Sequence, residues 1–171
     1  MQTFLPYRSM FLSAITLDTK RHGNQRNEAT TILKALHQGP KILYDKQNKK
    51  YMWFKPLTMR DGERYIIKKT PWYYHVATQM WKGYEEALEL YRNTIIKTWI
   101  LLGHANNVML SAIDESSIKL PPWLGDERLH SSHRAALLFK KPLHYLQFEW
   151  LEKQEQNYYW PKNDQTEINQ P

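Results

Sequence analysis

The residues best suited to chemistry lie between positions 17 and 28, where charged and amide side chains recur at helical spacing. Arg21 and Gln25 are four residues apart, and Gln25 and Glu28 are three apart, so a helix places all three side chains near one another. Arg26 lies within the same two turns. Guanidinium groups beside a carboxylate are typical of phosphate-binding sites. Ordinary surface charge explains the pattern equally well.

The charge of the whole chain favours a polyanionic partner. The 171 residues carry a net charge of +7, and the pI is about 9.5. Residues 41–70 contain nine Lys or Arg residues against three acidic residues, so this segment alone contributes +6. Such a concentration is typical of nucleic-acid binding, and a solubilising charged hairpin is the alternative.

Histidines provide a second set of candidate residues. His75 lies near the start of a predicted helix, where DNA contact, proton transfer, and capping or packing are all open. The group His130, His133 and Arg134, with Lys140 close by, predicts a phosphate-facing edge, and a solvated helix face is the alternative. The spacing of these histidines is not that of a metal site. We therefore expect no metal and no cofactor.

Several classes of protein are excluded by composition. There is no cysteine, which excludes disulfides and thiolate metal sites. No apolar run approaches the roughly 20 residues that span a bilayer, and the first residues do not resemble a secretory signal. The sequence predicts a protein that does not bind membranes and that acts in the cytoplasm, which is the host cytoplasm if a phage encodes it.

Apolar periodicity predicts a mainly helical chain with a small β insertion. We expect one broken helix or two helices over 9–37, with Gly23 as the interruption, and a long helix of about 45 Å over 72–102 that ends at Gly103. A third helix is predicted from Asp126 or Glu127 to Lys140. A short one is predicted over 143–155, with Leu146, Trp150 and Leu151 facing inward.

Two segments are predicted to be less regular. Residues 41–70 form one or two β-hairpins, since Asp61-Gly62 lies between β-rich runs. Residues 162–171 form a flexible polar tail because they have little apolar surface to bury. Residues 1–161 are expected to form a single domain.

Four stretches occur together in an order that resembles one family. They are the pattern Leu-Asp-x-x-Arg-x-Gly-x-Gln-Arg-x-Glu at 17–28, the His-Val and Met-Trp-x-Gly-Tyr-Glu-Glu-Ala-Leu motifs within 75–88, Pro-Pro-Trp-Leu-Gly-Asp at 121–126 with Leu-His-Ser-Ser-His-Arg at 129–134, and Tyr-Trp-Pro at 159–161. The chain resembles the pyrimidine-dimer DNA glycosylases of the phage endonuclease V type. It looks closer to the bacterial and phage branch that begins Met-Gln-Thr-Phe-Leu-Pro. The resemblance covers about 1–39 and 72–161, which makes 41–70 an insertion.

The resemblance implies a fold and a reaction. The fold is a compact single domain of about three main helices, with an N-terminal strand that threads between them and places the α-amine in the active site. The amine attacks C1′ of a damaged nucleotide and releases the base bond. The resulting imine then permits β-elimination of the 3′ phosphate. The expected enzyme is a DNA glycosylase with AP lyase activity on UV-type dimers or other modified pyrimidines, acting as a monomer on double-stranded DNA.

The family's catalytic residues map onto positions in this sequence. The amine is that of Met1, or of Gln2 if Met1 is removed, and the catalytic carboxylate is Glu28. An α-amine titrates near roughly pH 7.7–8.0, against about 10.4 for lysine, so it is partly neutral at physiological pH. The residues expected to bind DNA are Arg8, Arg21, Gln25, Arg26, His75, His133, Arg134 and Lys140.

The sequence departs from the family pattern at two places. Residue 2 is the bulky Gln2, so Met1 is expected to be retained and the amine to lie one residue further out. Asn27 stands immediately before Glu28, where the phage prototype has Arg. The competing functions are a non-catalytic DNA-binding or host-interaction phage protein on the same fold, and a small RNA-binding accessory protein, for which the usual sheet-borne stacking motifs are missing.

Overall fold

The computed structural model describes residues 2–52 and 65–161. Within these ranges the chain is mainly helical, which confirms the predicted fold class. The helices are α1 Met10–Thr16, α2 Thr19–Gln38, α3 Val76–Gln79, α4 Glu85–Leu101, α5 Glu127–Lys140 and α6 Pro142–Tyr145, and the strands are β1 Lys41–Asp45, β2 Lys50–Met52 and β3 Tyr65–Lys69. Two short 3-10 helices span Pro122–Gly125 and Leu146–Phe148. None of the helices in the described ranges is both long and apolar enough to cross a bilayer.

The break between α1 and α2 falls at Leu17 and Asp18, not at Gly23. The Asp18 side chain accepts a hydrogen bond from the backbone N–H of Arg21 and so caps the N-terminus of α2. Gly23 lies inside the helix, where an added Cβ would come within 3.2 Å of Cη2 of Trp99. The glycine therefore permits a close approach between α2 and α4 instead of ending the helix.

The predicted long helix over 72–102 is wrong. Helices α3 and α4 are separated by a turn in which Gly83 has a φ of 80°, and α4, with 17 residues, is about 25 Å long. The turn escapes an analysis of periodicity because Met80, Trp81 and Tyr84 are all buried in the core. The predicted end is confirmed: Gly103 follows Leu102, the C-cap, with a φ of 82°.

Helix α5 occupies the predicted residues, and the side chain of Asp126 caps it by accepting from the N–H of Arg128. The helix predicted over 143–155 is wrong. Helix α6 and the following 3-10 turn end at Phe148, and Glu149 adopts a left-handed φ of 53°. Leu151, predicted to face inward, is 98% exposed, and Leu146 is also exposed.

The three strands form an antiparallel sheet in the order β2-β1-β3. Leu43 of β1 pairs with Met52 on one side and with Ile67 on the other. The hairpin between β1 and β2 is closed by Asp45, whose Oδ1 accepts from the N–H groups of Gln47 and Asn48. The hairpin prediction is therefore confirmed for β1 and β2. The predicted Asp61-Gly62 turn and the 162–171 tail lie outside the described residues.

The core lies where α2, α4 and α5 meet around the beginning of the chain. Helices α2 and α4 pack against each other, and the largest fully buried side chains include Trp81, Tyr91 and Tyr145. Thr3, Phe4 and Leu5 are also buried, so the N-terminal segment passes through the core. This segment has no regular secondary structure and belongs to no strand. The predicted N-terminal strand is thus corrected to a buried segment that does not pair with the sheet.

Candidate active site

Side chains from two helices bind the N–H groups of the N-terminal segment. The backbone nitrogen of Gln2 lies 3.1 Å from Oε2 of Glu28 in α2. The Phe4 nitrogen donates to Oε1 of Gln25 at 2.9 Å. The Leu5 nitrogen donates to Nδ1 of His133 in α5, also at 2.9 Å.

The carbonyl groups of the same segment are bound in the same way. The hydroxyl of Tyr91 in α4 donates to the Phe4 carbonyl at 3.0 Å and to Oε1 of Gln25 at 2.7 Å. Nδ1 of His130 lies 2.8 Å from the Leu5 carbonyl, and Nη1 of Arg134 donates to the Pro6 carbonyl at 2.8 Å. Buried backbone groups need partners, and here side chains of α2, α4 and α5 supply them.

A cleft of about 250 Å³ opens beside Gln2 and Glu28. It lies between the N-terminal segment, α2 and the C-terminal end of α5. Its lining residues are Gln2, Phe4, Lys20, Arg21, Asn24, Gln25, Glu28 and Lys140. Lys20, Asn24 and Glu28 are spaced four residues apart, which places them along one side of α2.

The cleft is positively charged, because three cations lie around the single carboxylate of its lining. Arg21 is positioned by Asp18, whose Oδ2 lies 2.6 Å from Nη1 of Arg21 and also accepts from the hydroxyl of Tyr145. Although burial acts to raise the pKa of Asp18, these two hydrogen bonds hold it below its ordinary value. Burial lowers the pKa of Lys140, and the charge of Arg21 acts in the same direction. An anion in the cleft would relieve this crowding of like charges.

The structure brings together four of the residues predicted for the site: Gln2, Arg21, Glu28 and Lys140. Met1 lies outside the described residues. Gln25 also borders the cleft, but only 2% of it is exposed, and its carbonyl oxygen accepts from Phe4 and Tyr91. Gln25 therefore positions the N-terminal segment, and this replaces its predicted role as a DNA contact.

Other predicted DNA contacts lie elsewhere or are engaged inside the protein. Arg26 stacks over the ring of Trp99, 4.4 Å from the centroid, and donates to Asn106. Arg134 binds Glu127, Glu152 and the Pro6 carbonyl. His133 is fully buried, so the predicted phosphate-facing edge of α5 is wrong for this residue. Arg8 is exposed just before α1.

His75 caps α3, since its Nδ1 accepts from the N–H of Ala77 at 3.1 Å. Its ring also meets the edges of Trp72 and Trp160, with centroid separations of 5.6 and 6.3 Å. Burial lowers the pKa of His75, and the negative charge of Glu28 acts to raise it. The capping role is thus established, and the position lies within electrostatic reach of the cleft.

Sequence reasoning missed several residues of this site. Lys20 and Asn24 line the cleft, and their spacing of eight and four residues from Glu28, along one side of α2, is a signal that the sequence contains. Tyr91 had no such signal, because it lies 66 residues from Gln25 in the chain. Among the described residues, no group of three or more His, Asp or Glu side chains is placed to hold a metal ion.

The fold and cleft define a mainly helical protein whose Gln2 lies beside a carboxylate in a cationic cleft, a combination suited to a sugar–phosphate chain. A family model described as pyrimidine dimer DNA glycosylase matches residues 1–112. The chain therefore belongs to the pyrimidine dimer DNA glycosylase family, a family of DNA repair enzymes. The match includes Gln2, Glu28 and His75, whereas Lys140 lies beyond it. No curated protein and no solved structure is significantly similar to the chain.

Proposed function

We propose that this protein is a DNA glycosylase with AP lyase activity that acts through the amine at the beginning of its chain. The substrate is double-stranded DNA with a UV-type pyrimidine dimer or another modified pyrimidine. The observation that supports this best is the 3.1 Å distance between the Gln2 nitrogen and Oε2 of Glu28 at the edge of a cationic cleft. We further propose that residues 1–161 act as one domain and as a monomer in the cytoplasm.

The first step is attack of the neutral amine on C1′ of the damaged nucleotide. The amine nitrogen bonds to C1′ as the C1′–N bond to the base breaks, and the base leaves with the bonding electrons and takes up a proton released by the amine. The C1′–O4′ bond of the sugar ring then breaks as the C1′=N double bond forms, and O4′ takes up a proton, which leaves a protonated imine. The protonated imine withdraws electrons from C2′, so a C2′ proton is lost and the bond to the 3′ phosphate oxygen breaks. An amine with a pKa near roughly 7.7–8.0 suits the first step better than an ordinary lysine.

Glu28 stabilises the positive charge on the sugar and then accepts a proton from it. Its carboxylate lies where positive charge develops on the sugar as the base departs, and it accepts the C2′ proton in the elimination step. The hydrogen bond from the Gln2 nitrogen holds the carboxylate beside the beginning of the chain. This arrangement supports a carboxylate that acts on the same sugar carbon as the amine.

Lys20, Arg21 and Lys140 bind the phosphates on either side of the damaged nucleotide. They line the same cleft as Glu28, and the Asp18–Arg21 ion pair orients the guanidinium group. The damaged nucleotide has to leave the base stack to reach the cleft, since its C1′ is inaccessible inside the duplex. Cations that hold the flanking phosphates stabilise that extruded state.

Borohydride reduction tests the imine directly. Wild-type protein mixed with an abasic-site duplex and borohydride should give a covalent adduct, and Glu28→Gln should reduce its rate of formation by about 10²- to 10⁴-fold. Glu86→Gln, at an exposed position of α4, is the matched control and should trap like the wild type. Failure of the wild type to form any adduct would overturn the lyase proposal and leave a DNA-binding protein.

The position of the adduct distinguishes the amines in and around the cleft. Peptide mapping should find the adduct on the first residue of the chain, not on Lys20 or Lys140, and an adduct on either lysine would contradict the proposed nucleophile. Intact mass shows whether Met1 is present. A Gln2→Ala variant, whose small second residue favours removal of Met1, should form adduct at least as fast as the wild type if the residue-2 amine is the nucleophile.

A further inference from the structure

Two aromatic side chains between β3 and α3 are exposed although tryptophan and tyrosine usually bury much of their surface. Trp72 is 52% exposed and Tyr74 is 57% exposed. They follow β3 directly and lie in the tight turns that lead into α3, in which the Tyr73 nitrogen donates to Thr70 and the His75 nitrogen donates to Trp72. Packing within the described protein leaves about half of each ring accessible, so the two rings are available to a ligand.

The backbone at Trp72 has an unusual conformation for a bulky residue. Its φ is 67°, in the left-handed region that glycine favours. A conformation of this kind persists only where surrounding structure maintains it, and such residues concentrate at binding and catalytic sites. Here the turn holds the indole at the surface instead of allowing it to fold into the core.

The surroundings of the two rings are cationic. Lys68 and Lys69, both exposed, end β3 just before the turn. Nζ of Lys69 lies 5.3 Å from the centroid of the Tyr74 ring, and Nζ of Lys68 lies 3.7 Å from that of Tyr44 in β1. Aromatic faces beside lysines suit a nucleic acid, because bases stack on the rings while phosphates bind the cations.

His75 links this surface to the proposed active site through ring contacts and through the charge of Glu28. His75 contacts Trp72 on one side and Trp160 on the other, and the charge of Glu28 acts on the His75 ring. Where a nucleotide leaves the stack, its neighbours lose a stacking partner, and an aromatic face can replace that partner.

We propose that Trp72 and Tyr74, with Lys68 and Lys69 beside them, form a stacking platform for an unpaired base of the bound DNA. The platform rests on the proposed function only in taking DNA as the ligand. It adds a binding site that selects duplexes with an opened base pair over intact ones. The lysines contribute affinity for both kinds of duplex, and the rings contribute the selection.

Fluorescence anisotropy with two labelled duplexes tests the platform, one fully paired and one with a single-nucleotide bulge. Wild-type protein should bind the bulged duplex more tightly, and Trp72→Leu should reduce that preference by between about 5-fold and 150-fold, the range expected for the loss of one base–aromatic stack. Trp72→Phe keeps an aromatic face and should retain most of the preference. Both variants keep a non-glycine residue at the left-handed position, so they share whatever strain exists there.

Two controls separate stacking from general effects. Phe11→Leu removes another exposed ring, on α1, and should leave the preference unchanged. Lys68→Gln combined with Lys69→Gln should weaken binding of both duplexes alike and lower the slope of log K against log salt by about 2. If Trp72→Leu keeps the wild-type preference for the bulged duplex, the platform is overturned. The platform is also overturned if the substitution changes only the oligomeric state in sedimentation, which would indicate that a second copy of the chain covers this surface.

The trapping assay and the binding assay can fail independently. A protein that forms the borohydride adduct but shows no Trp72-dependent preference retains the proposed function and loses the platform. A protein with a Trp72-dependent preference that forms no adduct retains the platform and loses the lyase proposal.

Discussion

Different groups hold the segment Gln2–Pro6 and strand β1 in place. Strand β1 pairs through its backbone with β2 and β3 in a regular antiparallel register. The N-terminal segment is bound by the side chains of Glu28, Gln25 and Tyr91, and by those of His130, His133 and Arg134. A backbone hydrogen bond between two strands can persist when a side chain is changed. Each hydrogen bond from a side chain to the N-terminal segment depends on one particular residue.

This difference suits the two segments to different tasks. A sheet held by its own backbone tolerates substitution on its surface, which suits a surface rich in exposed lysines. A segment held by side chains from three helices has its position defined at each residue, and at its end the Gln2 nitrogen meets Glu28. Substitutions of the side chains that bind the N-terminal segment should therefore cost much more than substitutions on the sheet.

The largest effect is expected for Gln25→Leu, which keeps the side-chain volume and removes the acceptor. The Phe4 N–H would be left without its acceptor, which costs about 1–3 kcal/mol for a buried group. The Tyr91 hydroxyl would lose the bond to Oε1 and keep the Phe4 carbonyl as its acceptor, at a further cost of about 0.5–1.5 kcal/mol. We expect the free energy of unfolding in urea to fall by about 2–5 kcal/mol. The exposed neighbour Asn24 provides the control, since Asn24→Leu should change the free energy of unfolding by less than about 0.5 kcal/mol. A loss below about 1 kcal/mol for Gln25→Leu would mean that the segment is held by other contacts.

The second prediction concerns pH, through His133. Burial lowers the pKa of His133 to about 3, and the nearby His130 adds to the effect, whereas the unfolded chain titrates near roughly 6.5. The unfolded state therefore takes up the proton first as pH falls, so stability is complete above about pH 6.5 and declines below it. Titration of one such group lowers the free energy of unfolding by about 2 kcal/mol at pH 5. Burial also lowers the pKa of His22, so this residue adds to the loss of stability at low pH.

The variant His133→Asn tests this assignment because asparagine retains an acceptor for the Leu5 N–H and has no proton to take up. Unfolding in urea should show that the difference in stability between pH 7.5 and pH 5 is smaller in the variant by about 2 kcal/mol. Equal pH dependence in the two proteins would show that His133 is not the group that titrates.

Local signals in the sequence predicted the elements whose ends are marked by a capping residue. Asp126 begins α5 and Gly103 follows α4, and both residues act through atoms within four positions of themselves. The turn at 80–84 was not predictable in this way, since its buried residues continue the helical pattern. The predicted break at Gly23 is wrong because the role of this glycine depends on Trp99, which only the packed structure brings near.

The residues of the candidate site also fall into those that local sequence signals predict and those that only packing brings together. Arg21 and Glu28 could be predicted as neighbours because helical spacing places them together. The residues that hold the N-terminal segment lie between 21 and 128 positions away from it in the chain, so periodicity carries no information about them. His133 was assigned to a phosphate-facing edge on residue type alone, and burial reverses that interpretation.

A smaller effect is expected for Tyr91→Phe, which keeps the ring and removes only the hydroxyl. The Phe4 carbonyl loses its donor, while Gln25 still accepts from the Phe4 nitrogen. We expect the free energy of unfolding to fall by about 1–2 kcal/mol. Hydrogen exchange should also show faster opening at Leu5 if the segment is loosened as a unit, and unchanged exchange there would indicate that each backbone bond acts alone.

The smallest effect is expected on the sheet, for Lys68→Gln. Lys68 is exposed, its backbone pairs with Ile42 of β1, and its ammonium lies over the ring of Tyr44. Among the described residues, the substitution removes this cation–π contact alone, so the free energy of unfolding should fall by no more than about 0.5–1 kcal/mol. The salt slope of DNA binding should fall by about 1. A larger loss of stability would mean that side chains also hold the sheet. The sheet and the N-terminal segment would then differ in how many side-chain contacts hold them, and both would depend on such contacts.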